Sequence, residues 1–92
     1  MIQNFKHKGL ERFFERGDTS KIQPNHAKKL RLILARLKDA KQPDDMAFPG
    51  SDFHALSGNF KGFYAVSVSG NYRIIFRFED GDIHDVDYLD YH

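Results

Sequence analysis

Ninety-two residues, 40% of them hydrophobic and including nine Phe and four Tyr, suit one folded domain with one modest core and exclude a disordered chain. There is no cysteine, so neither a disulfide framework nor a thiolate metal site is available. The net charge of +1 conceals two halves of opposite sign: residues 1–41 hold eleven Lys and Arg against four Asp and Glu, and residues 42–92 hold three against nine. A basic half suits phosphates, an acidic half discourages nonspecific nucleic-acid binding, and the two halves also attract each other. No apolar run approaches a membrane-spanning length, and Met1 to Lys6 lacks the apolar region of a signal peptide. A cytoplasmic, single-domain protein over residues 1–92 is expected.

In chain order, Ile2 to Phe5 reads as a short opening strand. Leu10, Phe13 and Phe14 follow i, i+3, i+4 spacing and predict a short amphipathic helix ending near Gly17, with a loop at Asp18-Thr19-Ser20. A second helix follows, with Pro24 in its first position and Ala27, Leu30, Ile33, Leu34, Leu37 and Ala40 in one apolar arc. Lys28, Lys29, Arg31, Arg36 and Lys38 take the remaining surface, as a solvated face or a contact for RNA or a protein partner. Leu32 projects away from the arc.

From Gln42 to Gly50 the chain is a polar connection with one helical turn at Asp44 to Met46. The period then changes to alternation. Strands are expected over 53–56, 63–68, 72–79 and 83–89, with turns at Ser69-Gly70-Asn71 and Asp80-Gly81. The fold class is therefore α+β: N-terminal helices on one face of a small, mainly antiparallel sheet.

A two-residue loop at Asp80-Gly81 sets Glu79 opposite Asp82, and by strict alternation Arg77 opposite His84, Ile75 opposite Val86 and Arg73 opposite Tyr88. Tyr72, Ile74, Phe76 and Phe78 then face the helices. The open face displays Arg73, Arg77, His84, Tyr88, Asp90 and His92. Arginine forks grip phosphate and aromatic faces stack unpaired bases, so this face suits a nucleic-acid strand. Pairing of Arg73 and Arg77 with carboxylates such as Asp87 and Asp90 is the competing expectation.

The chain stops on Asp90-Tyr91-His92, a carboxylate, a phenol and an imidazole directly after a strand. Imidazole titrates nearest neutrality, so this end is the first place to expect proton transfer. No metal is expected: Asp90 and His92 lack the further converging ligands of a zinc site, and Asp80, Asp82 and Asp85 do not follow a calcium loop.

Several segments together resemble HigB-type toxins of the RelE/ParE superfamily. They are Phe5-Lys6-His7-Lys8-Gly9-Leu10, Ile22-Gln23-Pro24, Asp45-Met46-Ala47-Phe48-Pro49-Gly50, Phe63 to Val68, Gly70-Asn71-Tyr72-Arg73-Ile74, Phe76 to Asp82 and Asp87 to His92. The resemblance implies a RelE-like fold and a toxin of a type II toxin–antitoxin system: a ribosome-dependent endoribonuclease that cuts mRNA in the A site and inhibits translation and growth. It implies as partners a HigA-type helix-turn-helix antitoxin, the 70S ribosome and mRNA, with DNA reached only through the antitoxin, and no cofactor or membrane.

By the same similarity the catalytic group is His54, Asp90, Tyr91 and His92, with Arg73 assisting. The family commonly reads His-Pro-Leu-Lys-Gly-Asp where this chain has His54-Ala55-Leu56-Ser57-Gly58-Asn59. The basic residue expected at Ser57 is absent; Lys61 is a substitute from the adjacent turn, and Arg77 is a second candidate for phosphate. In metal-independent cleavage the 2′-hydroxyl attacks the adjacent phosphorus, and His54 and His92 share the acid and base roles in either order. Arg73 stabilises the phosphate, Asp90 orients an imidazole and Tyr91 positions or stacks a nucleotide. His7, His26 and His84 are expected to be structural or surface residues. The alternative is a non-enzymatic toxin that binds DNA gyrase, as ParE relatives do, through a helical surface.

Overall fold

The computed structural model describes residues 1–91. The expected first helix is α1, Lys8–Arg16, which buries Leu10 and Phe13. His7 caps its start by accepting the Leu10 amide at Nδ1 (2.9 Å), and Gly17 ends it at φ 73°, where its N–H reaches the Phe13 carbonyl. The second helix is entered through a 3₁₀ turn, Pro24–His26, and continues as α2, Ala27–Asp39. Leu30, Ile33, Leu34 and Leu37 are buried while Leu32 stays 46% exposed, as the apolar arc requires. Part of the basic face also packs: the Arg36 guanidinium lies 4.6 Å over the Phe48 ring and Arg31 lies 5.5 Å over Phe13. The expected turn after α2 is a second 3₁₀ segment, Pro43–Met46, which drives Met46 into the core.

Four antiparallel strands follow in the spatial order β1-β2-β3-β4: β1 His54–Ala55, β2 Phe63–Ser69, β3 Tyr72–Glu79 and β4 Asp82–Asp90. β1 is shorter than the expected 53–56; Phe53, just before it, packs against the core and stacks on Tyr64 at 5.5 Å. The opening segment pairs in parallel with β4 through bridges at Ile2–Ile83 and Phe5–Val86. Ile74, Phe76, Ile83 and Val86 meet Leu10, Leu30 and Ile33 in one core between sheet and helices. The expected helix-side row of Tyr72, Ile74, Phe76 and Phe78 is the observed one.

The register of β4 departs from strict alternation. Glu79 faces Asp82 and Arg77 faces His84 as expected, but Ile75 then faces Asp87, Ile74 faces Tyr88, Arg73 faces Leu89 and Tyr72 faces Asp90. β4 spends one extra residue between His84 and Asp87, a bulge that shifts every later side chain to the other face. Asp85 supplies it in the left-handed region at φ 56°. Its carboxylate accepts from Arg77 Nε and Asn4 Nδ2, both at 2.8 Å, and its own amide donates to Asn4 Oδ1 at 3.1 Å. Tyr88 and Asp90 therefore leave the open face on which alternation had set them. Tyr88 is instead buried beside Ile74, its hydroxyl 2.5 Å from Nδ1 of the buried His26. Burial pushes that hydroxyl above its ordinary value.

The bulge has a pH signature. The Asn4 amide, and after it the Arg77 guanidinium, hold the Asp85 carboxyl below its ordinary 3.8. A depressed folded-state value means that this stabilisation is complete above the unfolded value and is lost as pH falls through the folded one. Asp85→Asn is expected to cost about 1 kcal/mol at neutral pH, given a half-exposed ion pair. In thermal unfolding followed by circular dichroism, the gap between variant and parent closes under acid.

Candidate active site

The open face of the sheet is built from alternate residues of the four strands. The segment before β1 is tied to β2 by the Ser67 amide, which donates to the Ser51 carbonyl at 2.7 Å. Asp52, at φ 49°, then turns the chain so that His54 lies opposite Ala65. His54 is exposed, with Nδ1 2.9 Å from the Asp52 carbonyl oxygen. A carbonyl only accepts, so Nδ1 carries the proton in that bond and the neutral ring keeps its lone pair at Nε2. That is the arrangement of a base presented to solvent.

Arg73 lies opposite Ser67 on β2 and Leu89 on β4. Its Nη1 donates to the Gly70 carbonyl at 2.9 Å, the Tyr72 carbonyl at 3.1 Å and the Ser67 hydroxyl at 3.4 Å. Among the described residues none of the ion pairs involves Arg73. The guanidinium is thus positioned by three neutral oxygens. Ala65 and Ile75, both buried, form a dry floor between His54 and Arg73. Strand spacing and rise put the two backbones about 12 Å apart, a gap that the two side chains and one phosphodiester can bridge.

The other expected site residues are distributed around this pair. The Tyr91 amide donates to the Asn71 carbonyl at 2.7 Å, and its half-exposed ring follows β4, at the sheet edge opposite β1 and His54. Asp90, opposite Tyr72, belongs to the helix side, where it borders a cleft with His7, Gln23, Tyr72 and Tyr88. Arg77 shares the open face with His84 but is engaged by Asp85 at 2.8 Å and Glu79 at 3.6 Å, the carboxylate pairing weighed as its alternative. Lys61 is exposed in the loop joining β1 to β2. His92 lies outside the described residues.

One open-face residue, Ser67, escaped the sequence reading, and Asp87 entered it only as a carboxylate partner for the arginines. Ser67 helps fix Arg73; its signal was a hydroxyl between Val66 and Val68, on the face that is not the core. Asp87 replaces Tyr88 on this face because of the bulge, and its carboxylate accepts the Tyr88 amide at 2.9 Å. Among the described residues no group of three His, Asp or Glu is placed to hold a metal ion, and no helix is long and apolar enough to cross a membrane.

Comparison with known proteins adds a lineage to this geometry. A family model described as the RelE-like toxin of type II toxin–antitoxin system HigB matches residues 3–92. The chain is 34% identical over 92 residues to the Endoribonuclease HigB of Proteus vulgaris, covering 100% of both sequences. It is 34% identical over 83 residues to Toxin HigB-1 of Vibrio cholerae serotype O1, covering 88% of this chain and 87% of that protein. In shape it resembles the YoeB–YefM complex from Staphylococcus aureus, with TM-score 0.65 at 15% identity over 100% of this chain and 98% of that one. A YafQ mutant from E. coli superposes with TM-score 0.54 at 16% identity, over 98% of this chain and 93% of that one. At these identities the likeness is one of fold.

Proposed function

Given that the chain belongs to the HigB-like family of RelE-like toxins of type II toxin–antitoxin systems, we propose that it is a ribosome-dependent endoribonuclease. It cuts mRNA in the ribosomal A site without a metal ion and so blocks translation. The observation that carries this reading is the pairing, on one open sheet face, of an imidazole with its Nε2 lone pair outward and a guanidinium held by the neutral oxygens of Gly70, Tyr72 and Ser67.

In this mechanism His54 Nε2 removes the proton of the 2′-hydroxyl, and the freed oxygen attacks the adjacent phosphorus. The bond from phosphorus to the 5′-oxygen breaks, and an acid returns a proton to that oxygen. The products are a 2′,3′-cyclic phosphate and a free 5′-hydroxyl. The acid assigned here is His92, which carries the other imidazole of the family pattern. Arg73 neutralises charge on the pentacovalent phosphorane, and its bonds to Gly70, Tyr72 and Ser67 fix it before substrate arrives. Tyr91 stacks or positions a nucleotide at the far corner. Asp90, from the helix side, orients the strand end that carries Tyr91 and His92. Lys61 contributes a phosphate contact, and Arg77 does so only by exchanging Asp85 for phosphate.

A HigA-type helix-turn-helix antitoxin is the proposed partner, which neutralises the toxin and is the only link to DNA; the site of action is the cytoplasm. The test is cleavage of an mRNA by the purified protein with and without programmed ribosomes, each with and without EDTA. Cleavage that requires ribosomes and ignores the chelator is the expected result. Cutting of naked RNA at the same rate would sink the ribosome dependence, and loss of activity with EDTA would sink the metal-free chemistry.

A further inference from the structure

The loop between β1 and β2 carries a feature that the catalytic reading leaves unused. It closes where the Leu56 amide meets the Phe63 carbonyl at 2.9 Å, and its tip is a 3₁₀ turn, Gly58–Phe60. Two further backbone bonds, Phe60 N–H to the Ser57 carbonyl (3.3 Å) and Lys61 N–H to the Gly58 carbonyl (3.1 Å), fix the turn. Gly58 and Gly62 bracket it at φ 64° and 96°, conformations that other residues rarely adopt. A loop so held has a definite shape, and it holds an apolar ring out to water: Phe60 remains 38% exposed.

One face of that ring's neighbourhood is already fixed. Phe63 meets Phe60 edge to face, with centroids 5.9 Å apart and planes at 83°. Phe63 lies opposite Arg77 on β3, in the open-face row next to that of Ala65, His54's partner. Two residues along β2 amount to about 7 Å, the reach of one extended nucleotide from the His54 row. Lys61, the next residue, is exposed, and a Cβ added at Gly58 or Gly62 would meet nothing within 4 Å, so the loop is not packed against on those sides. Phe60, in the loop between β1 and β2, and Tyr91, after β4, are the two exposed Phe or Tyr rings among the described residues.

We propose that the loop of residues 57–62 is a nucleotide subsite in which Phe60 stacks on an unpaired base while Lys61 neutralises the phosphate beside it. This rests on the endoribonuclease reading for its substrate class and extends it to a nucleotide next to the scissile linkage. It also accounts for how this chain manages without a basic residue at Ser57: grip on the strand moves from charge at that position to stacking at Phe60 and charge at Lys61. Stacking is tolerant of base identity, because every base has a π-face, so this subsite confers hold more than sequence choice.

The chain contains no tryptophan, so Phe60→Trp makes a unique reporter. Titration with a single-stranded hexaribonucleotide, 2′-O-methylated to prevent cutting, is expected to quench its emission, and added salt to reverse the quench. In mRNA cleavage on programmed ribosomes, Phe60→Leu is expected to raise KM about tenfold with little change in kcat and an unaltered unfolding midpoint. Removing the base that Phe60 covers, by an abasic nucleotide, imposes the same loss on the parent and no further loss on Phe60→Leu. Lys61→Gln lowers the salt dependence of binding by about one phosphate's worth. A flat titration together with an abasic effect that simply adds to that of Phe60→Leu overturns the subsite. A clear quench in a protein that cuts no mRNA overturns the nuclease reading and leaves the RNA-holding loop in place.

Discussion

His54→Ala is expected to slow mRNA cleavage by about 10²–10⁴-fold, the usual contribution of a positioned acid or base. The geometry makes this substitution a clean probe. His54 is exposed on a two-residue strand, and among the described residues its ring bonds to the carbonyl of Asp52 two residues away. Losing the ring removes no packing, so unfolding should move within about 0.5 kcal/mol of the parent. The loss therefore appears in kcat, and added imidazole should restore part of it because the face is open to solvent. Growth reports the same result: expression of the parent slows cells, and His54→Ala or His92→Ala relieves most of the effect. Equal toxicity of parent and variant would turn attention to a binding target such as gyrase.

Much of this face was legible in the residues, and the exceptions have a physical cause. Gly17 marked the end of α1 because a left-handed cap favours glycine, and Asp80-Gly81 set the β3–β4 hairpin at the expected residues. In β4 alternation failed at the bulge at Asp85. Its trace was nonetheless in the sequence: the buried residues of β4 are Ile83, Val86 and Tyr88, a step of three followed by a step of two. A regular strand cannot make a step of three without an extra residue, and an Asp within it is among the residues that tolerate positive φ. What local pattern did not carry was the partner that fixes the bulge. Asn4 is eighty-one residues from Asp85, and only the parallel pairing of the opening segment brings the two together.

The bulge also decides which groups share the site. Without it Tyr88 and Asp90 would stand on the face of Arg73; Asp87, opposite Ile75, stands there instead. With it, Tyr88 is locked to His26 in the core, Asp90 borders the helix-side cleft, and Leu89 takes the place opposite Arg73. Arg77 shows the other outcome on the same strand, engaged by Asp85 and Glu79. Two arginines four residues apart thus have different neighbours: Arg77 meets the carboxylates of Asp85 and Glu79, and Arg73 the neutral oxygens of Gly70, Tyr72 and Ser67.

Arg73→Ala is accordingly expected to reduce kcat by about 10²–10³-fold, the loss typical of a preorganised donor aimed at charge that develops in the transition state. Three neutral acceptors, the Gly70 and Tyr72 carbonyls and the Ser67 hydroxyl, hold Nη1 in place, so little reorganisation remains when the phosphorane forms. Arg73→Lys separates charge from geometry. An ammonium keeps the positive charge but lacks the planar fork, so it cannot hold the turn and the phosphate together, and it should recover only a small part of the rate. The partner substitution Arg77→Ala behaves differently: it releases Asp85 and Glu79, is expected to lower the unfolding midpoint, and affects cleavage mainly through stability. Single-turnover cleavage measured beside thermal unfolding for the three variants separates these effects. A fully active Arg73→Lys would reduce the role of Arg73 to diffuse electrostatic attraction, and a fully active Arg73→Ala would remove it from the reaction.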